Sequence, residues 1–138
     1  MVRLANPEDL VDLTLMLHDM SKELWGDDVK DDLDIYESVI RDHFHNFKDT
    51  IFIDSRKRGF FIVREETEPF MKKQIYNGIR VYIKPKYRKG RLLKQFYDKM
   101  FETFDGEIWG MTEAHSEHIK VLDKRHTLVA KVYKLERG

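Results

Sequence analysis

A chain of 138 residues, 41% hydrophobic and 12% aromatic, suits one domain spanning 1–138 around one core, and its 36% charged residues imply a heavily solvated surface. Lys and Arg (25) balance Asp and Glu (25), so global charge argues against nucleic acid or an anionic membrane as partner. With no cysteine, disulfides, thiolate catalysis and zinc–thiolate centres are excluded.

The opening "MVRLANPEDL" lacks the apolar run of a signal peptide, and no stretch approaches a membrane span, so a cytoplasmic setting and no membrane contact are expected. "VRLA" reads as a short strand. Asn6 followed by Pro7 is a helix start, a capping side chain before a proline in the first turn. Leu10, Leu13, Leu17, Met20 and Leu24 then repeat at helical spacing through Trp25, and the acidic segment beginning at Gly26 ends the helix. Ile35, Val39, Ile40, Phe44 and Phe47 predict a second helix to about Lys48.

"TIFIDS" and "FFIVREE" read as a hairpin turning through Arg56–Gly59, with Gly59 free to take positive φ. "TEPFMKKQ" is a connector or strand edge. "NGIRVYIK" is a strand with Ile79, Val81 and Ile83 on one face and Arg80 and Tyr82 on the other. A helix follows from about Lys89 to Phe104, with Leu92, Leu93, Phe96, Met100, Phe101 and Phe104 as its apolar side. "EIWGMTEA" predicts a strand, "SEHIKVLDK" a short helix and "TLVAKVYKLE" a last strand. The order β-α-α-β-β-β-α-β-α-β implies an α/β (α+β) fold, a mixed sheet covered on both faces.

Charge is segregated along the chain. Asp27, Asp28, Asp31, Asp32 and Asp34 form an acidic segment, and Lys84, Lys86, Arg88, Lys89, Arg91 and Lys94 a basic one. The basic loop lies between a strand and a helix N-terminus, a layout that holds phosphate through free N–H groups and the helix dipole. The same loop, with Tyr87 for stacking, has the composition of a nucleic-acid contact, but overall neutrality and the lack of a reading motif argue against that partner. His43 and His45 do not share a helical face. His115 and His118 could share one, but they lack a third ligand, so no metal is expected.

The element order, joined to "VYIKPKYRKGRLLKQFY", resembles the GNAT superfamily of acyl-CoA-dependent N-acyltransferases. "VRLANPEDL" looks like its opening strand and helix cap, "VYIKPKYRKG" like its central strand and cofactor loop, and "HSEHIKVLDK" like the short helix after its fifth strand. The resemblance implies a mainly antiparallel central sheet and an acetyl group moved from acetyl-CoA to an amine. It also implies cofactor contacts at Val81, Tyr82, Ile83, Arg88, Lys89, Gly90 and Arg91. The family follows its Arg or Gln by two spacers, glycine, one spacer, then glycine or alanine. Counted from Arg88, these small positions fall on Arg91 and Leu93, and Gly90 is one residue out of register.

The family's tyrosine acid falls on Leu122, and its usual asparagine on His115. Glu113 or His115 is then the candidate base, with Tyr82 or Tyr87 as acid. The acidic segment suits a cationic amine acceptor. The alternative is a non-catalytic interaction or assembly protein of the same fold without cofactor; "HIKVL" is also similar to acetyltransferase-like bacteriophage proteins.

Overall fold

The computed structural model describes residues 1–66, 70, 72 and 74–110, the last two by backbone alone. The first strand, β1 (Val2–Leu4), leads into a 3₁₀ turn (Pro7–Asp9) and helix α1 (Leu10–Trp25). The Asn6 side chain accepts from the Glu8 N–H at 2.9 Å, and the Asp9 carboxylate accepts from the Asn6 N–H at 2.9 Å. This reciprocal cap satisfies donors that a helix start otherwise leaves unpaired. Leu13, Met16 and Leu17 are buried, whereas Leu24 and Trp25 at the far end are exposed.

Helix α2 (Leu33–His45) starts at Asp32, whose carboxylate accepts from the Asp34 N–H at 3.0 Å. Its buried residues are Tyr36, Ile40 and His43, with Val39 and Phe44 packed against the same core; of the expected stripe, Ile35 turns outward. The helix also stops sooner than the apolar pattern predicts. Asn46 leaves helical geometry at ψ 110° and its side chain accepts from the Lys48 N–H, which leaves Phe47 outside the helix and 92% exposed.

Strands β2 (Asp49–Asp54), β3 (Gly59–Glu66) and β4 (Ile75–Ile83) follow, then a 3₁₀ turn (Pro85–Tyr87), helix α3 (Leu92–Thr103) and β5 (Glu107–Gly110). They form one five-stranded sheet in the order β1-β2-β3-β4-β5, antiparallel except for the parallel β4–β5 pair. The expected helix and strand beyond 110 lie outside the described residues.

Alternation along the strands builds two cores. Ile51, Ile53, Phe60, Ile62 and Tyr82 pack under α1 and α2, while Phe52, Phe61, Val63 and Ile83 pack under Leu92, Leu93, Phe96, Tyr97 and Met100 of α3. Helices thus cover both sheet faces, as the element order implies.

Two local expectations are corrected. In the β2–β3 turn the positive φ (59°) belongs to Lys57, not to Gly59. Gly59 is needed for a different reason: a Cβ there would lie 2.5 Å from the Tyr82 carbonyl oxygen on β4. In β4, Ile62 opposes Arg80 but Val63 opposes Gly78, so Ile79 is the extra residue of a bulge. Ile79 consequently packs with Tyr82 on the α1–α2 side, opposite Val81 and Ile83.

Candidate functional site

The β4–α3 connection carries most residues expected to hold a cofactor. Lys84 leaves the strand and donates its N–H to the Arg58 carbonyl at 2.8 Å, and Pro85 opens the 3₁₀ turn. The chain then passes through Arg88–Gly90 to α3, which no side chain caps and which has no acidic residue in its first turn. The first N–H groups of α3 follow a turn over 88–91, have no side-chain acceptor, and lie beside Lys89, Arg91 and Lys94. This terminus concentrates positive potential and supplies hydrogen-bond donors for an anion.

Leu93 does not obstruct it. The side chain is 4% exposed and belongs to the α3 core with Phe96, Tyr97 and Met100. Gly90 has ordinary backbone geometry: an added Cβ would rest 3.6 Å from the Tyr87 carbonyl, a normal contact. The helix end without a side-chain cap, rather than the glycine spacing, is therefore the candidate anion contact. Lys89, Gly90 and Arg91 are exposed there.

Arg88 has a different position. Its Nε donates to the Ile83 carbonyl at 2.8 Å and its terminal nitrogens form a two-pronged pair with Glu23 of α1. The guanidinium carbon lies 5.7 Å from the Tyr82 ring centroid, and the side chain is only 10% exposed. Arg88 thus ties the end of α1 to the end of β4 by a charge-assisted fork.

Tyr82 lies beneath this tie, 5% exposed, its ring packed with Phe60. Burial raises the phenol pKa, Asp19 and Glu23 raise it further, and Arg88 opposes them. The group therefore keeps its proton at neutral pH. Val81 and Ile83 face the α3 core, and the described β4–β5 ladder spans Ile75–Gly78, upstream of Val81–Ile83. Tyr87 is partly buried between cations, with Arg58 at 5.6 Å and Lys86 at 5.8 Å from its ring. Glu113 and His115, the expected bases, lie outside the described residues, as do His118 and Leu122.

A second polar cluster was not anticipated from sequence. Arg80 Nε donates to His43 Nε2 at 3.0 Å, and His43 Nδ1 meets Asp49 Oδ2 at 2.8 Å. Arg64 completes the chain with a bidentate grip on Asp49, at 2.7 and 2.9 Å. The donor at Nε2 makes that nitrogen an acceptor, so the ring hydrogen is on Nδ1 and points to Asp49. His43 and Asp49 also line a pocket of about 200 Å3 with Leu4, Ala5, Phe44, Thr50 and Ile51. The available sequence signal was His43 three residues after Ile40 on a buried stripe; pairing it with His45 concealed that signal.

The sequence matches no protein-family model and no curated protein. Solved structures do match. A possible acetyltransferase from Clostridium difficile 630 superposes with a TM-score of 0.76 at 13% identity, covering 100% of this chain and 97% of that one. A ribosomal-protein-alanine N-acetyltransferase from Brucella melitensis biovar Abortus 2308 gives 0.70 at 14% identity, over 100% and 98%. AAC(6')-Iy, solved with the bisubstrate analogue CoA-S-monomethyl-acetylneamine, gives 0.71 at 13% identity, over 100% and 97%. At such identities the likeness is one of fold: this chain has the GNAT architecture of these acetyltransferases.

Proposed function

We propose that the protein is an acyl-CoA-dependent N-acetyltransferase that acts on an amine. The observation that carries this reading is the N-terminus of α3, which has no side-chain cap, is joined to β4 by the turns of 85–91 and is set among exposed Lys89, Gly90 and Arg91. The residues fit a coenzyme A: the backbone N–H groups opening α3, with Lys89 and Arg91, would hold its pyrophosphate, and Val81, Tyr82 and Ile83 would line its pantetheine arm. Arg88 braces the turn while offering its backbone to the same loop, in which Gly90 is exposed. When bound, acetyl-CoA supplies an acetyl group activated as a thioester.

The chain's own contribution is proton management and orientation. Tyr82 holds a proton on its phenol oxygen at the cofactor strand and serves as the acid. Glu113 or His115 is the base that takes the proton from the incoming ammonium. The solved AAC(6')-Iy complex with the bisubstrate analogue CoA-S-monomethyl-acetylneamine supports acyl-CoA binding, by analogy of fold alone.

Calorimetry with acetyl-CoA, followed by an acetyl-transfer assay on an amine panel, tests the reading. Binding with turnover is expected, and Tyr82→Phe should lower kcat with little change in coenzyme A affinity. A protein that neither binds acetyl-CoA nor is stabilised by it would instead be a non-catalytic member of the fold.

A further inference from the structure

We propose that Arg80 is the acceptor-recognition residue of this site and takes the carboxylate of an amino-acid-type amine. The inference deepens the acyltransferase reading and rests on it. Arg80 lies at the β4 bulge, immediately before Val81–Ile83, on the sheet face shared with Tyr82. Its Nε is committed to His43, and its two terminal nitrogens have no hydrogen bond to any described residue. A guanidinium anchored in this way presents its terminal edge, whose two nitrogens match the two oxygens of one carboxylate.

The charge balance of the cluster leads to the same ligand. Arg64 and Asp49 compensate each other through two hydrogen bonds, and His43 is neutral because Nε2 accepts. The charge of Arg80 has no bonded counter-ion in a partly buried setting; burial and repulsion from Arg64 act against it, and Asp49 offsets them only in part. A charge kept at that cost calls for an anion. Glu23 is paired with Arg88, but Asp19, close enough to act on Tyr82, favours an ammonium group nearby and disfavours a dianion such as phosphate. A zwitterion with a carboxylate on Arg80 and an amine toward the acidic side satisfies both constraints.

The test compares glycine and β-alanine with glycinamide and β-alaninamide, in two arms. In the binding arm, without acetyl-CoA, the ¹⁵N resonance of Arg80 Nε should move with the amino acids and not with the amides, and the amino-acid binding heat seen by calorimetry should be lost in Arg80→Gln. In the turnover arm, the ratio of amide KM to amino-acid KM should fall roughly ten- to a hundredfold in Arg80→Gln, with Arg80→Lys intermediate because it keeps charge but loses the fork. Melting curves of both variants confirm that they remain folded. Equal responses to acids and amides, or a response to inorganic phosphate alone, would overturn the proposal. Carboxylate binding without transfer to any acceptor would support the Arg80 site and overturn the acyltransferase reading.

Discussion

Four single positions show how local chemistry and packing divide the work. Asp9 is 2% exposed and receives two hydrogen bonds from Arg3, at 2.8 and 2.9 Å, together with one from Lys57. The Arg3 bonds hold its carboxyl far below the usual range, more than offsetting the cost of burial, and Lys57 adds to the effect. A depressed folded-state pKa gives stability that is present above the unfolded value near 4 and lost as pH falls below it. Asp9→Asn should therefore destabilise by roughly 1–3 kcal/mol at neutral pH, and urea melts from pH 7 to 3 should show a flatter acid limb than wild type. Leu93→Gly removes a buried side chain and adds helix cost, so a loss of roughly 2–5 kcal/mol is expected. Because Leu93 points into the core, coenzyme A affinity by calorimetry should not improve. The glycines differ in the same way: Gly59→Ala forces a Cβ against β4 backbone and should lower the melting temperature clearly, whereas Gly90→Ala should leave it nearly unchanged.

At the scale of elements, the β4–α3 connection separates a brace from a binding edge. Arg88 joins α1 to β4 through Glu23 and the Ile83 carbonyl, so Arg88→Ala should cost stability as well as cofactor affinity. Arg91 is exposed and outside that brace. Arg91→Ala should weaken coenzyme A by roughly 1–3 kcal/mol without a comparable loss of stability, an effect that shrinks as salt is added. Calorimetry at two ionic strengths, beside melts without ligand, separates the two. Equal coenzyme A affinity in wild type and Arg91→Ala would show that the loop is only a solvated surface.

For the whole molecule, the sheet is the common floor of two cores, one under α1 and α2 and one under α3. A ligand bridging β4 and the α3 terminus binds only when that floor is formed, so it stabilises the fold as a unit. Acetyl-CoA at a hundred times its Kd should add about 2.7 kcal/mol to the unfolding free energy. A single melting transition should move upward with ligand concentration. No movement at saturating acetyl-CoA would argue for the non-catalytic alternative.

Much of this architecture is legible from local rules. The Asn6–Pro7 helix start, the α1 stripe, the β2–β3 hairpin and the strand–loop–helix at Val81–Leu92 follow from caps, periodicity and turn residues, all short-range properties of the chain. The bulge at Ile79 and the purpose of Gly59 do not, because each is set by the neighbouring strand. The candidate site divides along the same line. Sequence marks a basic loop before a helix, but only tertiary packing decides that Leu93 turns inward, that Arg88 is taken by Glu23 and that Arg80 meets His43 across 37 positions of chain. Hydrogen bonds and close contacts between residues so far apart depend on where the fold places them, and no local pattern in the sequence encodes that placement.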